Sequence, residues 1–361
     1  MLRLVLDEAH QILSDYEFRP QFLKLRELAD FKVQLIYLTA SLPKRLEAQF
    51  LTQLCLPPDT PIIRAPSDQP QISYIKLTYN TMNTNVIRFA IDVAQIMTEV
   101  IGPNQKGIIF CSTIDEADEL GAKFTHKCVS HSKLPFEVKA HNQDAWKAGH
   151  AQWIAATTGM VCGIDDPHVG AVIFVGVSYG LVNIYQGAGR SGRDGTPSWA
   201  IVLQAQNTSR AIPQGGLKDD PQCLQESEDW LRSEQCRRLG CSNLFDSARV
   251  SCFDLPNAHF CDYCDPSLEI LPQLRSKIID PLLEREDEFD VLDSHLMDMD
   301  FEGIMELSHP QSTPLSLPCT AEFPTYSSTL SHPPAASSST QEDLFRFAPT
   351  PCAPSMQILS L

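Results

Sequence analysis

The feature that most constrains the fold is a rhythm of short apolar runs separated by stretches with helical spacing. "GIIFC" (107–111), "WIAAT" (153–157) and "AVIFVG" (171–176) lack the polar alternation of a half-exposed strand. Such runs suit strands buried on both faces, and between them lie stretches such as "IDEADELGAKF", whose apolar residues recur at helical intervals. This alternation is the pattern of an α/β unit in which a parallel sheet is covered by helices. "AIVLQ" (200–204) is its last strand. Upstream, "LRLVL" (2–6) and "VQLIYL" (33–38) are two further strands, and the segment from Phe22 to Leu28 has helical spacing. The Pro-rich passage "LPPDTPIIRAPSDQP" (56–70) reads as a connection between domains.

At 361 residues the chain has room for two or three domains and a substantial core. It carries twelve cysteines, but no charged start, apolar run and small-residue cleavage site, so a reducing compartment is expected. No run of about eighteen apolar residues occurs, so no membrane partner is expected. The net charge of −17 is unusual for a nucleic-acid binder. Its distribution removes much of that objection: residues 267–361 hold 4 basic and 15 acidic side chains, which leaves −6 for residues 1–266. Beyond about residue 310 the chain is rich in Ser, Pro and Thr and is expected to be disordered. The acidic segment 284–307 reads as a solvated tail or, alternatively, as a helix that binds a protein partner.

Three constellations carry chemistry. Asp7 and Glu8 follow a strand directly, at the carboxyl edge where open α/β sheets place ligands. An aspartate there can hold magnesium through water, and the next glutamate can orient or deprotonate an attacking water; acidic residues at a strand end are also often a solvated loop. In "IYQGAGRSGRDG" (184–195), Gln186, Arg190 and Arg193 are spaced for one face of a short helix. Two arginines presented together can neutralise a transferring phosphoryl group, or they can be a basic surface turn. In "CRRLGCSNLFDSARVSCFDLPNAHFCDYC" (236–264), Cys261 and Cys264 form a C-x-x-C knuckle. Cys236 and Cys252 can complete a four-sulfur zinc site, with Cys241 a spare or competing ligand; the alternative is a set of unpaired intracellular thiols.

Read in order, "LDEAH" (6–10), "LTAS" (38–41), "GIIFCSTIDEADEL" (107–120), "ATTGMVCGIDDPHVGAVIFVG" (156–176) and "YQGAGRSGRDG" (185–195) resemble motifs II to VI of superfamily 2 helicases. "FRP" at 18–20, "GIDDP" at 163–167, "GRSGRDG" and the cysteine module make the resemblance specifically RecQ-type, over about residues 4–266. It implies a RecA-like parallel-sheet motor: a partial first domain (1–68), a complete second domain (69–222), a zinc-binding module (223–266) and a mostly disordered tail (267–361). It also implies ATP with Mg2+ and Zn2+ as cofactors, DNA as partner, single-stranded or forked, and location in the nucleus, with the cytoplasm as alternative. Asp7 and Glu8 become the magnesium and water residues, and His10 and Gln186 connect the nucleotide to the facing domain. Thr39 and Ser41 couple hydrolysis to movement, Ser112, Thr113, Thr157 and Thr158 lie near the DNA backbone, and Asp165 faces the nucleotide cleft. Arg193 is the arginine finger, supported by Arg190. Cys236, Cys252, Cys261 and Cys264 hold zinc.

Departures from the family pattern matter as much. The loop "QILSDYE" is one residue shorter than usual and lacks its DNA-sensing tryptophan, and Val161 and Cys162 replace the residues usual before "GID". A phosphate loop ends in Gly-Lys-Ser/Thr, yet Gly-Lys occurs nowhere in the chain. Only six residues precede Asp7. The expectation is therefore an N-terminally truncated helicase, inactive by itself, or alternatively a non-catalytic module that binds nucleic acid or protein. Whether it is an enzyme stays open at this stage.

Overall fold

The computed structural model describes residues 3–14, 24, 25, 27, 28, 33–80, 85–124, 126–157, 165–176, 180–206, 221–268, 270–274 and 357–360. In chain order the elements are β1 (Arg3–Leu6), α1 (Gln11–Ser14), β2 (Gln34–Leu38), a 3-10 turn (Lys44–Leu46), α2 (Glu47–Gln53), β3 (Ile62–Arg64) and β4 (Ile72–Tyr79). Next come α3 (Val86–Ile101), β5 (Lys106–Phe110), α4 (Ile114–Lys123), β6 (Val129–Ser130), α5 (Phe136–Lys147), β7 (Trp153–Ala156) and β8 (Val169–Val175). The remainder are α6 (Gly180–Ala188), β9 (Ser198–Ala205), α7 (Pro221–Arg232), α8 (Arg238–Asp246), α9 (Ile270–Leu274) and β10 (Gln357–Ser360). Among the described residues no helix is long and apolar enough to cross a membrane.

Two wholly parallel sheets organise these elements. The larger has the order β4-β9-β8-β5-β7-β6 and the smaller β1-β2-β10-β3. All seven residues of β8 are buried, because one face of the large sheet packs on α3, α4 and α9 and the other on α6, α8 and the cysteine module. Double burial is why these strands read as unbroken apolar runs. The faces are shaped by close contacts: a Cβ on Gly107 would stand 2.1 Å from the Trp153 ring, so only glycine lets that indole lie across β5. Helix starts are chemically specified. Asn85 accepts from the Ile87 and Arg88 amides at the head of α3, and Thr113 with Glu116 forms a full capping box on α4.

The small sheet differs from the sequence expectation in two ways. The Pro-rich passage taken as a connection contains β3, since "IIR" is too short for its pattern to stand out against flanking prolines. The stretch from 267 on, expected to be a mostly disordered tail, supplies this sheet with β10, while α9 packs on the large sheet and most of the stretch lies outside the described residues. Of the expected helix at 22–28, Leu25 and Leu28 are in 3-10 turns against the small sheet's core. The acidic segment 284–307 lies outside the described residues.

Candidate functional site: a cleft between the two sheets

The site begins with a forced turn. After β1 the chain reverses at Glu8, whose φ of 51° is left-handed, and the Ala9 amide then donates to the Leu38 carbonyl at 3.0 Å. The "LDEAH" turn is thereby sewn to the end of β2, where "LTAS" begins. His10 Nδ1 lies 2.8 Å from Thr39 Oγ1 and 3.4 Å from Glu8 Oε2, and the Ser41 amide donates to Thr39 Oγ1 at 3.2 Å. One hydroxyl thus joins both motifs.

Across the cleft, Gln186 on α6 closes the arrangement. Its Nε2 donates to Ser41 Oγ at 2.5 Å and lies 3.2 Å from His10 Nε2. Since the amide NH2 is a donor, the facing imidazole nitrogen is an acceptor, and a neutral ring is required. Burial depresses His10 to about 4 against the opposing influence of Asp7, which keeps the ring neutral at pH 7. Burial raises Glu8, Asp7 adds to the rise, and Arg190 opposes it. Glu8 Oε2 is buried and accepts no hydrogen bond among the described residues.

Glu8, Ser41, Gln186, Arg190 and Arg193 line one cavity of about 210 Å³. The arginines do not continue the helix as their spacing suggested. α6 ends at Ala188, and Gly192 turns at φ 64°, a left-handed conformation that suits glycine, and a Cβ there would stand only 2.6 Å from Ser198 Oγ. Arg190 and Arg193 therefore project from a glycine-rich turn. Arg193 is paired with Asp165 and also donates to the Gly189 carbonyl at 3.3 Å.

The four hydroxyl residues assigned to a nucleic-acid path are only partly together. Ser112 Oγ donates to the Val175 carbonyl at 2.8 Å, and Thr113 Oγ1 is the cap of α4. The Thr157 amide donates to the Ser130 carbonyl, beside the end of β7, while Thr158 lies outside the described residues.

Cys236, Cys252, Cys261 and Cys264 converge, with all four sulfurs within 4.8 Å of one another. Cys236 Sγ stands 3.5 Å from Cys252 Sγ and 3.9 Å from Cys261 Sγ. Sulfurs at the corners of a tetrahedron around zinc at 2.3 Å are separated by about 3.8 Å, so this donor set fits that ion. Hydrogen bonds from the neighbouring thiols hold the Cys236 thiol well below the ordinary range. Cys241 is buried elsewhere, against the cleft.

Sequence reasoning missed the residues that dock this module. Arg238, 1% exposed, donates to the carbonyls of Gln69, Pro70, Ile72 and His259, and Arg237 grips Asp262 through two bonds of 2.9 and 3.1 Å. The small sheet is held to α7 and α8 by Arg45 on Glu226, by Arg64 on the Phe245 carbonyl and by Ser67 on Asp246. Asp68 also lines the cleft, and burial raises its carboxyl to about 6. Nothing in a Pro-rich passage marks it; the "CRR" beginning the module was the only available signal for Arg237 and Arg238.

A parallel-sheet pair meeting over a DEAH turn and a Gln-Arg-Arg wall is an α/β arrangement with the RecA-like fold. The helicase conserved C-terminal domain family matches residues 91–195. In sequence the chain is similar to RecQ-type helicases. It is 27% identical to the ATP-dependent helicase SGS1 of Saccharomyces cerevisiae over 294 residues, covering 76% of this chain and 20% of that protein. It is 28% identical to the RecQ-like DNA helicase blm-1 of Caenorhabditis elegans, covering 58% and 21%, and 24% identical to the ATP-dependent DNA helicase Q-like 2 of Arabidopsis thaliana, covering 73% and 38%. The chain thus spans well under half the length of these relatives. Among solved structures, a variant of S. cerevisiae Dbp5 bound to RNA and ADP BeF3 matches with a TM-score of 0.51 at 15% identity, over 74% of this chain and 63% of that one, a likeness of fold.

Proposed function

We propose that this chain supplies the facing walls of the nucleotide cleft in a RecQ-like, ATP-dependent 3′ to 5′ DNA helicase. The observation that carries the reading is Gln186 bonded at once toward Ser41 and His10, from the opposite sheet. A contact that joins the two motor halves through the nucleotide motifs is what coupling of hydrolysis to movement requires. Asp7 would hold Mg2+, and Glu8, whose Oε2 accepts no hydrogen bond among the described residues, suits the water residue, because a carboxylate raised by burial is a better base than an exposed one. Mg2+ with ATP would supply the phosphoryl electrophile and neutralise charge on it. Arg190, close enough to Glu8 to affect its titration, and Arg193 would stabilise that charge from the other wall. The Arg193–Asp165 pair would then open or turn, and Asp165, expected to face the nucleotide cleft, would hold Arg193 between cycles.

DNA, single-stranded or forked, is the expected partner, held through phosphate contacts near Ser112, Thr113, Thr157 and Thr158, and the nucleus is the expected location. Zn2+ would be held by Cys236, Cys252, Cys261 and Cys264, where it would fix the module against β4. One observation favours a second reading, a non-catalytic binding module: the chain contains no Gly-Lys-Ser/Thr, the string in which a phosphate loop ends.

ATP turnover separates the two. The purified chain is expected to hydrolyse ATP negligibly, and fusion to an intact RecQ-type phosphate-loop segment ahead of Met1 is expected to restore DNA-stimulated turnover that Glu8→Gln abolishes. A well-folded fusion without turnover would exclude the motor reading.

A further inference from the structure

The small sheet has an unusual composition: β2 and β3, consecutive in the chain, do not pair with each other. Between them lies β10, more than 290 residues after β3, parallel to both. Its register places Gln357, Ile358 and Leu359 opposite Ile36, Tyr37 and Leu38 on one side. On the other, Ile358, Leu359 and Ser360 stand opposite Ile62, Ile63 and Arg64. Among the described residues β3 has no other strand neighbour. Without β10 it would leave the sheet, and β2, whose Leu35 and Tyr37 are fully buried, would expose an unpaired inner backbone edge.

We propose that residues 357–360 are a donor strand: the small sheet contains an interior slot for one parallel strand, and the chain fills it with its own C-terminal segment. The slot is built to need an occupant. Both of its edges belong to strands fixed elsewhere, β2 through the Ala9–Leu38 bond and β3 through Arg64, which binds Glu47, the Leu42 carbonyl and the Phe245 carbonyl. Recognition is through backbone on both edges, the chemistry of strand addition, so the occupant need be only a short apolar segment without proline.

A consequence rests on the motor reading given above. β10 runs parallel to β2, so its carboxyl end opens at the sheet edge that carries Asp7 and Thr39. A phosphate-binding loop also opens from the carboxyl end of a parallel strand. A strand bearing such a loop and the C-terminal segment therefore compete for one slot, and β10 acts as an inhibitory occupant that displacement would relieve.

The donor strand is tested by hydrogen exchange on the full chain, on a chain ending before Pro354, and on Ile358→Pro, which removes one backbone donor from the slot. Exchange at 34–38 and 62–64 should quicken by about tenfold or more in both variants, the loss of a few net hydrogen bonds. Protection in β5 and β8 should be unchanged, which certifies that the rest is folded. A peptide of residues 354–361 should restore protection to the shortened chain, and the same peptide with Ile358→Pro should not. Unchanged exchange at 34–38 in both variants, or a peptide without effect, overturns the proposal. So does protection that falls on dilution of the full chain, which assigns the slot to a second copy. None of these readouts involves nucleotide, so failure of the donor strand is distinct from failure of the motor reading.

Discussion

Replacing Arg238 should unseat the cysteine module, and the size of the effect follows from its contacts. Its guanidinium donates to four main-chain carbonyls, those of Gln69 at 2.8 Å, Pro70 at 3.0 Å, Ile72 at 2.5 Å and His259 at 3.1 Å. It also lies 5.5 Å over the Tyr74 ring. These carbonyls belong to the chain entering β4, to β4 itself and to the loop before the C-x-x-C knuckle, so one side chain ties three segments. Gln69 and Pro70 keep a second donor each, the amides of Ile72 and His259. The loss in Arg238→Met is therefore set mainly by the other two carbonyls and by lost packing, about 3–5 kcal/mol given about 1.5–3 kcal/mol per charge-assisted bond. Because the partners are backbone, no apolar replacement can remove the need for a donor. Arg238→Lys reaches one or two of the four and should lose about half as much. Urea unfolding followed by tryptophan fluorescence is a suitable assay, since the Trp230 indole donates to the Arg237 carbonyl next door. A cost below about 1 kcal/mol for Arg238→Met would refute the reasoning that this arginine, rather than the metal site alone, seats the module.

Three further outcomes are expected. Elemental analysis should find one zinc per chain, and Cys264→Ser or chelation should unfold residues 236–264 while sparing the large sheet, since a four-thiolate zinc site contributes on the order of 10 kcal/mol; metal-free protein with full protection of the module would contradict this. ATP turnover of the chain itself should be at background level, and turnover that Glu8→Gln removes would show that another phosphate cradle exists. Acidification should weaken the cleft through His10: its folded value of about 4 lies below the unfolded 6.5, so its contribution is complete above pH 6.5 and is lost as pH falls toward 4, up to about 3 kcal/mol at 1.36 kcal/mol per unit. Glu8, raised on folding, titrates with the opposite sign. The His10 part is thus read as the difference in pH dependence between the parent and His10→Gln, and identical slopes would refute it.

The sequence by itself determined what depends on neighbours along the chain. The buried strands β5, β7, β8 and β9 were legible because residues enclosed on both faces must be apolar in succession, and α4 because its cap and its apolar spacing are both local. The motifs were legible as strings, and the helicase kinship followed from their order. Tertiary structure decided what depends on residues far apart. Gln186 meets Ser41 across 145 positions and His10 across 176, and no periodicity encodes that meeting. The arginine turn escaped the helical reading because α6 stops at Ala188 and the chain turns at Gly192, which side-chain spacing does not encode. β3 and β10 are three and four residues long, too short for a pattern of their own, and they become strands through distant backbone edges, β10 between β2 and β3, and β3 beside β10. Local apolarity can mark a strand that a sheet encloses, but it cannot say which distant segment will supply the missing neighbour, because main-chain hydrogen bonding is common to every residue except proline.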